Sequence, residues 1–201
     1  MNKANKYTQD EVLKACLKYY DGDLMQSSVT QKKYLLRDKD GLFDELDQNG
    51  MHDRLAREFT RIEKKMNKSL DEKAYFTKIR GLLDRFKKTV PQGSPMSAIG
   101  NPYQIQSLSN CMVISSPEDS IDGIFNSGLE IAELQKRRCG VGVDVSTLRP
   151  FNSRVNNAAL ISSGTPCFSD FYSHITRMIG QSGQFSTKLL RKSKNEQLAQ
   201  L

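Results

Sequence analysis

"SLSNCMVISSPEDSIDGI", residues 107–124, is the stretch that decides the fold of the second half of this 201-residue chain. Apolar residues 112–114 stand between Ser-Asn on one side and Ser-Ser-Pro on the other, which predicts a short strand with Cys111 at its edge. After the proline, Glu118 and Asp119 fall in the first turn of a predicted helix, where acidic side chains are stabilised by the helix dipole. The stretch therefore predicts a strand, a turn and a helix.

The same alternation continues along the chain. Strands are predicted at 111–115 and 141–145, and helices from about 119 to 137 and from about 167 to 180. Strands that alternate with helices are typical of βαβ units with a parallel sheet. Because two strands do not make a stable open sheet, residues 91–183 are predicted to be an incomplete α/β structure.

The first 90 residues predict a separate helical domain, 1–90. Thr8 with Glu11, and Ser69 with Glu72, have the spacing of capping boxes at two helix starts. Each pair is followed by apolar residues at helical intervals, as expected for helices that pack on a common core.

An apolar stripe in the middle of this domain predicts a long amphipathic helix. His52 lies off the stripe, and Cys16 is most simply a core residue of an earlier helix. The stripe consists of Met51, Leu55, Phe59, Ile62 and Met66.

The charge of the chain is concentrated at one end. The formal net charge is +7, and residues 184–201 hold four Lys or Arg against one Glu. Such a run is typical of a solvated tail, and binding to nucleic acid is the alternative. No apolar run is long enough for a membrane span, and the N-terminus lacks the apolar centre of a signal peptide, so a cytoplasmic location is expected.

The residues that could carry chemistry are ambiguous by themselves. Four cysteines and two histidines show no CxxC pair and no metal-ligand spacing, which argues against a zinc site. Cys111, taken alone, is more often a buried small side chain than a reactive thiol. Three Gly- and Ser-rich loops could bring backbone amides to a phosphate or simply form tight turns. They are "PQGSPMSAIGNP", "RRCGVGVD" and "SSGTP".

In their order and spacing, the motifs of the chain resemble one family, the large catalytic subunit of ribonucleotide reductases. The resemblance extends from about Tyr7 to Gly183 and is strongest to the adenosylcobalamin-dependent, class II branch. The motifs that carry it are "KYLLRD", "MHDRLAREFTRIE", "VPQGSPMSAIGN", "SLSNCMVI", "DSIDGI", "LQKRRCGVGVDVSTLRP" and "SSGTPCFSDFYSHITRMIGQSG". The implied fold class is α/β: a helical N-terminal domain followed by the first strands and helices of a ten-stranded α/β barrel.

The resemblance implies a role for the cysteine at the strand edge. In the family this cysteine belongs to a redox-active pair, which delivers the reducing equivalents that remove the 2′-hydroxyl from a substrate radical. Cys111 takes that catalytic position. Ser94, Ser109 and Gly140 match positions that contact the ribonucleotide substrate.

A second implied site holds the deoxynucleoside triphosphate effector that sets substrate specificity. Asp119, Ser120 and Ile121 match this site at a helix start, with Arg149 of "STLRP" as the phosphate partner across the loop. The implied effectors are deoxynucleoside triphosphates and ATP. A homodimer through the helices of this site is a further implied assembly.

The resemblance also implies adenosylcobalamin as cofactor, a dithiol reductant and a complementing C-terminal chain or segment. The family continues for several hundred residues beyond "GQSG", whereas this chain turns into the basic tail 184–201, so the chain alone is expected to be inactive. Cys139 stands where the family has a glycine, and Val143 where it has a histidine. The side chain of Cys139 is expected to occupy a place where backbone approaches substrate.

Two other functions stay open on the sequence. A degenerate or accessory module would keep deoxynucleotide binding without catalysis, and a small basic protein would bind nucleic acid through charge alone. The resemblance implies no membrane partner and no specific nucleic acid. A deoxynucleotide titration with and without a complementing chain, and the salt dependence of DNA binding, separate these alternatives.

Overall fold

In the computed structural model, which describes residues 6–179, the chain divides into two units between Leu108 and Ser109. The described part of the first unit is helical. It contains α1 Gln9–Tyr19, α2 Leu24–Lys33, α3 Gln48–Met66, α4 Glu72–Leu83, a short 3-10 turn at Asp84–Phe86, and α5 Gly93–Ala98. The second unit contains β1 Cys111–Val113, α6 Ile121–Gln135, β2 Gly140–Gly142 and α7 Gly164–Ile179.

The start of α1 confirms one predicted capping box. The Thr8 side chain accepts a hydrogen bond from the Glu11 N–H at 3.4 Å, and the Glu11 carboxylate accepts one from the Thr8 N–H at 2.8 Å. Together these bonds satisfy two backbone donors that the helix itself leaves unpaired.

The second predicted capping box, at Ser69 and Glu72, is wrong. Asp71 is the N-cap of α4, and its carboxylate accepts a hydrogen bond from the Ala74 N–H at 3.1 Å. The Ser69 hydroxyl instead donates to the side chain of Asn67 at 2.8 Å, within the preceding turn. An Asp directly before the first helical residue is a strong cap and replaces the more distant Ser.

The core of the first unit is apolar and draws on most of its helices. Only the first half of the predicted stripe on α3 lies in this core: Met51 and Leu55 are buried, whereas Phe59, Ile62 and Met66 are exposed. The buried members are Val12, Cys16, Leu35, Phe43, Met51, Leu55, Leu83 and Met96. Met96 of α5 belongs to this core, so the segment after residue 90 packs with the helices.

His52 is fully buried, although it lies off the predicted stripe. Its ring makes an edge contact with Phe86, 4.9 Å between centroids, and its Nε2 lies 3.1 Å from the Gln48 amide nitrogen. The long-range partner Phe86 closes this side of α3, which a helical stripe alone does not reveal.

The second unit is a mixed structure of two helices and a small parallel sheet, as predicted. β1 and β2 pair in parallel, with Cys111 opposite Gly140 and Val113 opposite Gly142. Both strands are shorter than predicted, since they end at Val113 and Gly142. The residues that follow β2 leave the sheet, and Val143 and Val145 pack against the core of this unit as loop residues.

The two helices supply most of the core of the second unit. Its buried members are Ile114, Ile124, Ile131, Leu148 and Tyr172. The α7 helix begins at Gly164, three residues before its predicted start. Gly164 has φ +75°, and a Cβ there would lie 2.6 Å from the Phe151 backbone nitrogen, so only glycine fits this helix start.

No helix within residues 6–179 combines the length and the apolar character that a bilayer span requires. The predictions for the basic tail, residues 184–201, lie outside the described residues.

Candidate functional site

The strand pair of the second unit places Cys111 at the first position of β1. The cysteine is exposed and is not in a disulfide. The Gly140 N–H donates to the carbonyl of Asn110 at 2.7 Å, which brings the glycine beside the start of β1. A thiol in this place is accessible to a second thiol or to a small molecule, as exchange chemistry requires.

An open groove of about 550 Å³ runs along this strand pair. Its lining combines sheet backbone, apolar side chains and two polar side chains from the helices. The lining residues are Cys111, Met112, Val113, Gln135, Gly140, Val141, Gly142 and Thr176. The strand side of the groove is not covered by other described residues, since the side chain of Val113 is 84% exposed.

Gln135 lines this groove and joins the two helices of the unit. Its amide nitrogen donates to the Thr176 hydroxyl at 2.9 Å, which links α6 to α7. Its amide oxygen is buried and has no hydrogen-bond partner among the described residues. A buried acceptor left in this state costs about 1–3 kcal/mol.

The other predicted substrate contacts fall in both units. Ser109 lies two residues before Cys111 at the start of the second unit, and Gly140 pairs with Cys111. Ser94 lies in α5 of the first unit, where it is buried and its carbonyl accepts a hydrogen bond from the Ser97 hydroxyl at 3.2 Å. The second unit therefore brings Ser109, Cys111 and Gly140 together by itself.

The predicted effector residues meet at the N-terminus of α6. The Arg149 guanidinium lies 2.7 Å from the Asp119 carboxylate and also donates to the Asp119 carbonyl at 3.0 Å. The Arg149 N–H donates to the same carboxylate at 3.3 Å. Asp119 thus compensates the charge of Arg149 in this structure, and both side chains stay partly exposed.

Ser120 is the N-cap of α6. Its hydroxyl accepts a hydrogen bond from the Gly123 N–H at 3.0 Å. The helix begins at Ile121, which is exposed, so the predicted start near residue 119 is two residues too early. Asp119 precedes the cap and is therefore free of the helix geometry, which lets its carboxylate reach Arg149.

Two residues near these sites were missed by the sequence predictions. A Cβ on Gly123 would lie 2.7 Å from the Glu118 carbonyl oxygen, so glycine lets the loop before α6 fold back on the helix. Glycine inside a helical pattern is a recognisable signal of such a close approach. The role of Gln135 had no such signal, because its partner Thr176 is distant in sequence.

The other three cysteines differ in their surroundings. Cys139 is fully buried, with its thiol 3.4 Å from the Gly140 carbonyl, so its side chain faces the interior of the second unit. Cys167 is exposed on α7. Cys16 is in the core of the first unit, where burial raises the pKa of its thiol to about 11.

Comparison with known proteins points to one family for the second unit. Residues 109–186 match the family model "Ribonucleotide reductase, barrel domain". The matching stretch begins at Ser109, the first residue of the second unit, and it contains the whole β1–α6–β2 arrangement. This segment is thus similar to a ribonucleotide reductase large-subunit barrel domain.

Curated relatives agree with this match. The chain is 34% identical over 76 residues to the ribonucleoside-diphosphate reductase large chain of Cryptosporidium parvum, which is 38% of this chain and 10% of that protein. It is 32% identical over 76 residues to the large subunit of Plasmodium falciparum (isolate FCR-3 / Gambia), and 29% to that of Vaccinia virus (strain Copenhagen), with the same shares of each chain. The similarity spans about a tenth of the length of these relatives.

Proposed function

We propose that this chain is the N-terminal portion of a class II ribonucleotide reductase large subunit. In this proposal its helical domain is followed by the first strands of a ten-stranded α/β barrel. The observation that carries the proposal is the coincidence of the barrel-domain match, residues 109–186, with a parallel βαβ unit. That unit begins with an exposed cysteine opposite a glycine, which is the arrangement expected for a redox thiol beside a substrate.

The proposed reaction converts a ribonucleotide and two thiols into a deoxyribonucleotide, a disulfide and water. Cys111 supplies one thiol, and a second thiol from a complementing C-terminal chain or segment supplies the other. The two electrons and two protons that leave the thiols replace the 2′-hydroxyl with hydrogen and release it as water. An external dithiol reductant then returns the disulfide to two thiols.

The groove next to Cys111 is the proposed place for the ribose of the substrate. Ser109 and Gly140 lie at the same end of the strand pair as Cys111. Ser94 is the proposed contact from the first unit. The open strand side of the groove is consistent with a further segment that completes the pocket, and the chain alone is proposed to be inactive.

The proposed effector site is the N-terminus of α6. A deoxynucleoside triphosphate or ATP would bind with its base and sugar near Asp119, Ser120 and Ile121, and its phosphates would share the guanidinium of Arg149. Exposed apolar residues recur along α6 at helical spacing, which supports a homodimer through this helix. They are Ile121, Phe125 and Leu129.

Adenosylcobalamin is implied by the resemblance, and in this proposal it would be held mainly by residues of the complementing segment. The groove beside Cys111 is lined by strand residues and by Gln135 and Thr176, and neither His52 nor His174 lines it. No step of the proposed reaction of this chain is assigned to the cofactor, which supplies radical chemistry when it is bound. A cytoplasmic location, without a membrane or specific nucleic-acid partner, completes the proposal.

The proposal is tested in an enzyme reconstituted from the full chain and a complementing C-terminal reductase segment. Cys111→Ser is expected to abolish turnover supported by a dithiol, because it removes the exchangeable thiol, and to leave deoxynucleotide binding unchanged. Cys167→Ser is the matched control, since this cysteine is also exposed in the second unit. Full turnover by Cys111→Ser would show that the thiol is not part of the reaction.

An accessory deoxynucleotide-binding module is the second candidate. It is favoured by one observation: the contact between Asp119 and Arg149 is fully formed in the chain, whereas the groove beside Cys111 is open on its strand side. Deoxynucleotide binding by the chain alone, together with no turnover in any reconstitution, would favour this candidate. Turnover that depends on Cys111 would exclude it.

A further inference from the structure

Arg54, on α3 of the first unit, is a buried cation with a single carboxylate partner. Its Nε lies 2.6 Å from the Glu45 carboxylate, and both side chains are only 6% exposed. The second oxygen of Glu45 accepts a hydrogen bond from the Leu36 N–H at 2.9 Å. The carboxylate is thus itself fixed by the backbone, and it holds the guanidinium in one orientation.

The other guanidinium nitrogens of Arg54 donate to backbone carbonyls. One bond reaches the carbonyl of Tyr34 at 3.2 Å, and another reaches that of Met96 at 2.9 Å. A third reaches the carbonyl of Ile99. Met96 and Ile99 belong to α5 and its C-cap, so two of the three carbonyls come from the segment "GSPMSAIG", residues 93–100.

The same segment also packs against the aliphatic stem of Arg54. Gly100 has φ +70°, and a Cβ there would lie 2.9 Å from Arg54 Cγ and 2.8 Å from Glu58 Cγ. Glycine therefore lets the backbone of the segment approach α3 closely. The guanidinium and the stem of Arg54 together fix the end of α5 against the helix.

A buried ion pair is a poor source of net stability, because the cost of removing two charges from water offsets most of their attraction. A planar guanidinium with several directed donors is instead suited to fixing geometry. Here a single side chain joins Glu45, the carbonyl of Tyr34 and the segment 93–100. Lysine has one nitrogen and cannot reach all of these acceptors.

We propose that the Glu45–Arg54 pair positions the segment 93–100 for binding of the ribonucleotide, with Arg54 as a positioning residue that does not itself touch substrate. The inference rests on the proposed function, in which Ser94 of this segment contacts the substrate. The pair holds the backbone of α5 at Met96 and at its C-cap Ile99, so Ser94 is presented from a fixed helical turn rather than from a mobile loop.

The test compares Arg54→Lys with Arg61→Lys in the reconstituted reductase. Arg61 lies on the same helix and pairs with Glu58 at 2.8 Å, but its side chain is half exposed, so it is a matched control. We expect Arg54→Lys to raise KM for the ribonucleotide roughly tenfold with little change in kcat, and Arg61→Lys to leave both unchanged. Equal KM values for Arg54→Lys and Arg61→Lys would overturn the inference.

Amide exchange on the full chain tests the same inference without turnover. In the native sequence, the Met96 and Ile99 amides should be protected to about the level of the α3 amides, and Arg54→Lys should lower protection in 93–100 more than anywhere else in the first unit. Fast exchange of these two amides in the native sequence would contradict the inference even if no variant folds. Glu45→Gln, which keeps the side-chain volume, is the second variant and should act in the same direction.

The two measurements separate this inference from the proposed function. If the reconstituted native enzyme shows no ribonucleotide turnover, the proposed function fails, whatever the exchange of 93–100 shows. If turnover is present and Arg54→Lys leaves KM unchanged, the positioning role fails alone.

Discussion

The two units of the chain differ most at β1, a short strand of the second unit whose three residues are all exposed. In the first unit even a buried cation is paired: Arg54 meets Glu45 and three backbone carbonyls. In the second unit Val113 of β1 is 84% exposed. Buried polar atoms without a hydrogen-bond partner among the described residues occur in both units: Tyr19 Oη and His52 Nδ1 in the first, and the Gln135 amide oxygen in the second. Strands of a parallel sheet are normally covered on both faces, so the second unit has the features of a βαβ element that another segment completes.

The strands, and not the helices, carry this contrast. Exposed apolar residues are present on helices of both units, for example Met66 on α3 and Leu129 on α6. Helices satisfy their backbone hydrogen bonds internally, so exposure there costs little beyond the apolar surface. A short strand with an open edge also leaves backbone N–H and C=O groups without partners. The difference between the two units is therefore clearest at β1.

The largest expected effect comes from a pair of matched truncations, one in each unit. Leu55→Ala removes a fully buried side chain from the first core and should lower the free energy of unfolding by about 2–5 kcal/mol. Val113→Ala removes a side chain that is 84% exposed and should change it by no more than about 0.5 kcal/mol. Urea unfolding of both variants measures the difference. Equal losses of stability would contradict the proposed contrast between the two units.

Acid should destabilise the first unit selectively through His52. Burial lowers the pKa of His52 from 6.5 to about 4. Arg80 adds to this lowering, and three carboxylates oppose it, namely Asp47, Asp53 and Asp84. Between pH 6.5 and pH 4 the unfolded chain binds a proton on His52 and the folded chain does not. The free energy of unfolding is therefore at its full value above pH 6.5. It falls as the pH drops from 6.5 towards 4, by about 3 kcal/mol at most.

Amide exchange of α3 between pH 7 and pH 4, corrected for the intrinsic pH dependence of exchange, measures this loss. In His52→Gln the part of the slope that comes from this residue should vanish. His174→Gln, on the exposed surface of α7, is the control and should keep the slope in α3. An α3 helix whose stability is constant across this range in the native sequence would contradict the assignment of His52 as a buried neutral side chain.

The smallest effect is expected at the start of α6. Ser120→Ala removes the N-cap hydroxyl that accepts from the Gly123 N–H and should cost about 1 kcal/mol in the second unit. Thr8→Ala makes the matched change at α1 of the first unit. Both losses should be similar, since a cap acts locally. Urea unfolding measures both losses. A much larger loss of stability for Ser120→Ala would show that the second unit depends on the start of α6 more than the first unit depends on the start of α1.

The sequence predicts the order of elements well because that order depends on local patterns. The apolar run at 112–114 and the turn residues after it place β1, and the capping box at Thr8 and Glu11 places α1. The strand lengths are overestimated, since Val143 and Val145 are apolar because they pack in the core and not because they extend β2. Periodicity cannot distinguish these two reasons for an apolar residue.

The candidate site is predicted less completely than the fold. The positions Cys111, Asp119 and Arg149 follow from the family resemblance, and the structure brings the last two into contact across 30 residues of sequence. The contacts of Arg54 with Ile99 and of Gln135 with Thr176 join residues that are even further apart, 45 and 41 positions. No local sequence pattern predicts either pair. An arginine or a glutamine has many possible partners, and the sequence around it does not show which of them it contacts.

The central proposal is that the second unit is the beginning of a barrel that another segment completes, whereas the first unit does not need that segment for its fold. Amide exchange of the full chain, alone and with a complementing C-terminal reductase segment, tests this claim most directly. We predict that protection rises roughly tenfold or more at Cys111–Val113 and Gly140–Gly142 on addition of the segment and does not change in α3. Strand amides that are already as protected as α3 in the chain alone, or that do not respond to the segment, would contradict it.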